Sequence, residues 1–571
     1  MIKIDYRDAR PIYEQVVDGI EGLALRGALP ADTQLPSVRQ LAMELSLSVL
    51  LSIVYYIFFF LSRRLLYFRD YSIIGAECVS FFLFTPTKLC GISVTIHKNS
   101  IHIPTDFYQF STYFSPSARI SKGGFFRLNC YFFTFGCKVN SCETAGMEAI
   151  FQAAGYTITT QPEQADVIVL NTCTVTASGD SRMHTALRRL RAGNPDAVMV
   201  LTGCFAQAFP EEAAALPEAD LVIGTQDRDR LPQLVQQFLM GNRAPMQHIP
   251  AYTGTEAFAC LPHHLPADRT RAFLKIQDGC NCFCSYCIIP YARGRCRSMP
   301  LDVLQQEVSQ FAAEGYTEIV LCGINLAFYG KEWGGSLLDA VSLCCQTSGI
   351  QRVRLGSLEP ERMTEDLLDA LAALPAFCPQ FHLSLQSGCD HTLKEMHRRY
   401  TTQEYAALCA AIRSRFPVCA ITTDIMVGFP GETDADFAES LSFAESMQFA
   451  KIHVFRYSPR TGTPAAKRTD QIPDSVKHTR MVAMQQLAET ARTAFLSSRI
   501  GLTLPVLFER ERDAAFHNGH TPDFTPVKIP AENEKKSLRK SIFYVRIEES
   551  DSACCFGHIV PKDNANSSQK E

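Results

Sequence analysis

One short loop, Cys280-Asn281-Cys282-Phe283-Cys284-Ser285-Tyr286-Cys287, carries the clearest chemistry in this chain. Thiolates spaced C-x3-C-x2-C at Cys280, Cys284 and Cys287 are able to hold three irons of a 4Fe-4S cube and leave the fourth iron open. Such a vacancy suits S-adenosylmethionine, whose amino and carboxylate groups chelate the open iron before one electron from the cluster breaks a carbon–sulfur bond. The competing reading is a zinc site with Cys282 or Cys296 as fourth ligand, although the paired C-x2-C spacing usual for zinc is missing. Three further cysteines recur in matched places: Cys137 after YFFTFG, Cys173 after VIVLNT and Cys204 after VMVLTG. If each apolar run is a parallel strand, all three thiols stand at strand C-termini and face one crevice. One such cysteine is more often a buried apolar residue; three in phase read as a second three-thiolate cluster. Cys142 is expected to pack, and Cys282 to be a bystander.

The elements that must position these thiols follow from the hydrophobic pattern. From Tyr131, strand-like runs alternate with helical ones around Thr144–Ala154, Ser181–Ala192 and Arg228–Met240, predicting a small parallel sheet with helices on its faces across 128–242. A linker rich in Pro, His and Thr spans 243–268. A second series over 269–499 offers FLKIQDG, TEIVLCG, QRVRLGS, FHLSLQS, CAITTDIMVGF and KIHVFRYS, six βα units, which suit an open barrel with its site at the strand C-termini. Short strands with turns over 500–561 predict a small β-barrel, and 562–571 a polar tail. The fold class is therefore α/β.

The remainder of the chain has another character. Residues 1–48 read as helical, and their sequence resembles the start of a GntR-type winged-helix domain that stops before the recognition helix and wing. They are expected to be a vestige or a fusion artefact. Residues 49–127 are apolar and aromatic without a sustained period and carry no assignable chemistry; within them Val49–Leu61 is shorter than the ~20 residues a membrane helix needs. Across 571 residues the hydrophobic fraction is 46%, the charged fraction 20% and the net charge −4, so any nucleic-acid contact must rest on local basic patches. No signal peptide is evident, and 22 cysteines without one suit metal ligands in a reducing, cytoplasmic setting better than disulfides.

The pieces FGCKVNSCET, NTCTVT, LTGCFAQ, KIQDGCNCFCSYCIIPYARGR, LGSLEP, LSLQSG, TDIMVGFPGET and FRYSPRTGTPA together resemble the radical S-adenosylmethionine methylthiotransferases, over about 128–561. The resemblance implies an N-terminal methylthiotransferase domain with an auxiliary cluster, a partial (β/α)6 radical SAM barrel and a C-terminal TRAM-like barrel that grips RNA. It implies two 4Fe-4S clusters, held by Cys137, Cys173 and Cys204 and by Cys280, Cys284 and Cys287. One S-adenosylmethionine then methylates a sulfide on the auxiliary cluster, and a second yields a 5′-deoxyadenosyl radical that opens C2 of an adenine to the methylsulfide. GCKVN, NTCTVT and CIIPYARG look most like the branch acting on N6-threonylcarbamoyladenosine in tRNA; siblings act on isopentenyladenosine in tRNA or on an aspartate of a ribosomal protein. The implied partners are a tRNA anticodon stem-loop and an electron donor such as flavodoxin or ferredoxin, with no membrane and a monomeric chain expected. Cys282, Cys296 and GINLAFYG depart from the family pattern, and 1–127 has no counterpart in it.

Gln386, Ser387 and Asp424, at the ends of later strands, are the expected cofactor contacts, against ordinary strand-end hydrogen bonding. Arg182, Arg188, Arg189 and Arg191 on one helix, and Arg293, Arg295 and Arg297 after the cluster loop, are the candidates to hold an RNA backbone, against a reading as solvated faces. Two other classes compete: a DNA-binding regulator acting through 1–48, and a zinc-binding accessory protein without radical chemistry.

Overall fold

The computed structural model describes residues 128–262, 269–510, 515–531 and 537–562, together with the backbone of three strands between 78 and 102. Those strands, β1 (Cys78–Thr85), β2 (Lys88–His97) and β3 (Ser100–His102), form an antiparallel sheet within a unit that ends at Gly124. The winged-helix resemblance over 1–48 and the apolar run Val49–Leu61 lie outside the described residues. Among the described residues no helix is long and apolar enough to cross a membrane.

The unit from Phe125 onward opens with the expected parallel sheet. Its strands are β4 (Asn129–Thr134), β5 (Thr157–Ile158), β6 (Val167–Thr172), β7 (Val198–Gly203), β8 (Leu221–Ile223) and β9 (Met246–His248), ordered β5-β4-β6-β7-β8-β9. β6 and β7 are buried along their whole length, as the central strands of a sheet covered on both faces must be. Alternation divides their side chains. Val167, Val169, Val198 and Val200 pack on α1 (Lys138–Ala153) through Met147 and Phe151, while Ile168, Leu170, Met199 and Leu201 pack on α2 (Ala177–Gly193) through Met183 and Leu187. The segment read as a linker supplies β9, which pairs in parallel with β8.

The second series forms six principal strands in the expected order, split into two sheets. β10 (Ala272–Lys275) is followed by a two-residue antiparallel pair, β11 (Gln277–Asp278) and β12 (Arg297–Ser298), whose excursion is the cysteine loop. β13 (Glu318–Cys322) and β14 (Arg352–Leu355) join β10 in one parallel sheet. β15 (Ser357–Leu358), β16 (Gln380–Leu383), β17 (Ala420–Val427) and β18 (Lys451–Arg456) form the other. Ile319, Leu321, Val353, Phe381 and Ile421 build the main core against the helices, whereas the opposite face of β13, through Val320 and Cys322, packs on Val139 and Cys142 of α1. Cys142 is thus packing, as expected, and α1 sits against the first strands of the second series. A closed five-stranded barrel follows, ordered β19 (Thr503–Phe508), β20 (Phe516–His520), β21 (Pro526–Pro530), β23 (Cys555–Val560), β22 (Ile542–Ser550).

Candidate active site

The sheet delivers its three cysteines as the strand spacing requires. Cys137 caps the N-terminus of α1 just past β4, Cys173 follows β6, and Cys204 opens α3 (Cys204–Ala208) directly after β7. Gly136, at φ +109°, lets the strand end turn close above its neighbour: a Cβ there would lie 2.5 Å from Cys173 Cβ and 3.0 Å from its Sγ. Gly203, at φ +107°, does the same for Cys204, since a Cβ would meet the Thr172 carbonyl oxygen at 2.4 Å. The thiols feel one another electrostatically. Burial, with Cys204 and Cys137 nearby, pushes Cys173 up to about 12, and burial also raises Cys137.

The second trio sits on the loop between β11 and β12. Ser285 anchors that loop, its Oγ donating to the Glu395 carbonyl at 2.8 Å and its own carbonyl accepting from Ala465 N at 2.8 Å. Burial raises Cys284, and raises Cys287 to about 12 with Cys284 as second cause. Cys280 is drawn down to about 7 by a hydrogen bond from the Cys282 thiol, assisted by the Cys282 backbone N–H at 3.5 Å and by Asn325 Nδ2 at 3.7 Å. Cys282, read as a bystander, is a direct neighbour of a site thiol, and Asn325 also reaches its Sγ at 3.4 Å.

Two buried arginines aim at sulfur. Arg293 Nε lies 3.2 Å from Cys204 Sγ, and Arg398 Nη1 lies 3.3 Å from Cys284 Sγ. Arg398 also pairs with Glu359, Nη2 to Oε2 at 2.5 Å, and donates to the Ser384 carbonyl at 2.9 Å. Burial raises the Glu359 carboxyl despite that partner. A third arginine, Arg460, donates to Thr174 Oγ1 at 2.6 Å and pairs with Asp180 at 2.5 Å, clasping the loop beside Cys173 from the FRYSPRTG segment.

These contacts correct the basic-patch reading. Arg293 is fully buried and Arg297 is 7% exposed, its guanidinium on Asp278 at 3.1 Å, so neither can meet an RNA backbone; only Arg295 of that group is exposed. Arg191 is tied to Asp220 at 2.6 Å and to the Ala197 and Glu218 carbonyls, while Arg182, Arg188 and Arg189 stay exposed. Ser387 is fully buried, its Oγ accepting from Cys389 N at 3.3 Å. Gln386 holds φ +71° with its backbone bridged to Asp424 and Met426, and Asp424 Oδ2 receives His382 Nε2 at 3.1 Å. The sequence assigns Arg293 to an RNA backbone and does not single out Glu359, Asn325, Arg398 or Arg460. Glu359 stands in LGSLEP and Arg460 in FRYSPRTG, so motif membership was their signal; Asn325 lies in GINLAFYG, which departs from the family pattern, and Arg398 in no motif.

The donor chemistry suits iron–sulfur clusters. Guanidinium N–H groups pointing at sulfur match thiolates, which carry charge, better than neutral thiols. Among the described residues no three His, Cys, Asp or Glu side chains converge as they would around one metal ion.

Comparison with known proteins agrees with this architecture. Residues 129–224 match the uncharacterized protein family UPF0004, and residues 274–444 match the radical SAM superfamily. The chain is 36% identical over 403 residues to threonylcarbamoyladenosine tRNA methylthiotransferase MtaB of Bacillus subtilis, covering 69% of this chain and 89% of that protein. It is 37% identical over 377 residues to the enzyme of the same name from Thermotoga maritima, covering 66% and 85%. It is also 36% identical over 393 residues to tRNA-2-methylthio-N(6)-dimethylallyladenosine synthase of Pelotomaculum thermopropionicum, covering 66% and 86%. Fold and site therefore define a radical S-adenosylmethionine enzyme preceded by a second, three-cysteine α/β domain. Within that class, the chain belongs to the methylthiotransferase family.

Proposed function

We propose that this chain adds a methylthio group to C2 of N6-threonylcarbamoyladenosine beside the anticodon of tRNA. The observation that carries the reading is the pairing of two cysteine trios in one unit, each with a buried arginine directed at one of its sulfurs. On this reading Cys280, Cys284 and Cys287 hold one cluster, and Cys137, Cys173 and Cys204 the other. The clusters and S-adenosylmethionine supply the radical and the methylated sulfur when bound. The chain's own part is to keep the sites aligned and dry. Arg398 reaches Cys284 of the second trio and pairs with Glu359, and Asp424 and Gln386 are assigned to the cofactor. Ser387, turned inward to its own backbone, is assigned a structural part. The target base has to be splayed from the anticodon loop to enter, with Arg182, Arg189 and Arg295 and the C-terminal barrel available to the RNA backbone. An electron donor of the flavodoxin or ferredoxin class, a monomeric chain and a cytoplasmic location complete the proposal.

A second reading is favoured by the dimethylallyladenosine relative, whose identity equals that of the first relative over a similar length. Mass spectrometry of tRNA nucleosides from cells lacking the gene separates them. Loss of the 2-methylthio form of threonylcarbamoyladenosine alone is the expected result; loss of the methylthiolated dimethylallyl nucleoside instead assigns the second substrate.

A further inference from the structure

The buried charges around Arg293 do more than fill an interior. Arg293 comes from the loop that returns from the second cysteine trio, yet its side chain ends in the first α/β domain. Nη2 donates to Asn140 Oδ1 at 2.5 Å, Nη1 and Nη2 pair with Glu143 at 2.5 and 2.9 Å, and Nε donates to Cys204 Sγ at 3.2 Å. Asp278, two residues before Cys280, stands 3.5 Å from Nη1 on the other side. Glu143 is further held by Arg228 and by Lys275, the latter at 2.9 Å, and Asp278 by Lys275 and Arg297 at 3.1 Å each. Asn140 is itself fixed, Nδ2 donating to the Phe135 and Thr172 carbonyls at 2.8 and 2.9 Å. Asn140 and Glu143 are two of the non-cysteine residues of GCKVNSCE, so motifs from two different domains of the family resemblance meet at one guanidinium.

An arginine with no exposed surface is costly to bury unless every N–H is spent and its charge is matched. The two carboxylates Glu143 and Asp278 face four cations, Arg293, Arg228, Lys275 and Arg297, so they offset only part of the charge, and Asn140 takes a further N–H. What remains is Nε, directed at a sulfur. An N–H directed at a cluster thiolate, and the positive charge behind it, favour the more reduced cluster and raise its potential.

We propose that Arg293 is a positioning residue for the auxiliary cluster: it delivers a hydrogen bond from the radical domain to the Cys204 sulfur and so makes that cluster's potential depend on the docking of the two domains. The proposal rests on the assignment of Cys204 as a cluster ligand. Arg398, which reaches Cys284 from within the radical domain, is the matching residue for the other cluster.

The test compares wild type, Arg293→Lys and Arg398→Lys after anaerobic reconstitution, with the protein labelled with 15N in its arginine guanidino groups. Iron per chain is counted first, because a wild-type protein holding only one cluster defeats the ligand assignment itself. With both clusters present, pulsed EPR of the reduced wild type should show arginine-nitrogen coupling at the auxiliary cluster. In Arg293→Lys that coupling should vanish, and a potentiometric titration should move the auxiliary signal to more negative potential with the radical cluster unmoved. Arg398→Lys should show the reverse pattern. Absence of arginine coupling at the auxiliary cluster of the wild type overturns the proposal even if Arg293→Lys fails to load. An unshifted auxiliary potential in a fully loaded Arg293→Lys overturns it as well.

Discussion

At the scale of single residues, spacing alone singled out the two cysteine trios but not the side chains packed against them. Three cysteines in C-x3-C-x2-C and three more behind matched apolar runs were legible because ligand geometry and strand period both leave marks in sequence. The arginines were misassigned for a physical reason: a basic run after a loop looks the same whether it faces water or closes a buried network. Arg293 and Arg297 face Glu143 and Asp278, residues far away in sequence or hidden inside a motif. Two outcomes are expected at this scale. Replacing Cys280, Cys284 and Cys287 together by Ala should lower iron from about eight to about four per chain and abolish cleavage of S-adenosylmethionine; unchanged cleavage in that variant removes the assignment. Gly136→Ala should cost roughly 1–3 kcal/mol from its left-handed backbone alone, and its new methyl, directed at Cys173, should displace that thiol. Iron analysis should then find the auxiliary cluster depleted and the other intact.

At the scale of elements, the parallel strands of both series stand where the apolar runs place them, since β6, β7 and β13 are buried on both faces and read as continuous hydrophobic segments. β9 escaped notice because Met246–His248 is a three-residue edge strand inside a Pro- and Thr-rich stretch, with no period long enough to register. The docking of the C-terminal barrel was equally illegible. Glu318, wholly buried on β13, gathers Arg271 at 2.6 Å, Arg354 at 3.1 Å and Arg352 at 3.5 Å. Those arginines then reach the barrel: Arg271 pairs with Glu509 at 2.6 Å, Arg352 donates to the Pro505 carbonyl at 2.7 Å and Arg354 to the Pro522 carbonyl at 2.7 Å. Burial opposes ionisation of Glu318, but Arg354, Arg271 and Arg352 outweigh it and hold the carboxyl at about 2, below its ordinary 4.5. A depressed carboxyl stabilises the fold above its unfolded value and loses that contribution as pH falls from 4.5 toward 2, a change of about 3 kcal/mol. Asp278 and Glu509, also held near 2, share the window. Denaturant unfolding followed against pH should therefore show wild type losing stability steeply on acidification from pH 4.5. Glu318→Gln should be weaker at neutral pH, by a few kcal/mol from arginines left unpaired, with a shallower acid slope.

At the scale of the whole molecule, every residue placed in the two sites lies beyond Gly124, in a unit of its own. A chain beginning near Lys122 should therefore load both clusters and modify tRNA as well as the full chain does. Normal loading with lost activity would assign residues 1–127 a part in the reaction. Cutting on to Asn140 should remove the auxiliary cluster, because β4 and the turn carrying Cys137 go with it.

The proposed division of labour between the two trios is measured by Cys173→Ala. The reconstituted variant, given S-adenosylmethionine, reductant and an anticodon stem-loop bearing N6-threonylcarbamoyladenosine, is assayed by mass spectrometry for both products at once. The expected product is 5′-deoxyadenosine without the 2-methylthio nucleoside, since the radical site stays whole while the first α/β domain has lost a thiol of its trio. Full methylthiolation by Cys173→Ala would contradict it.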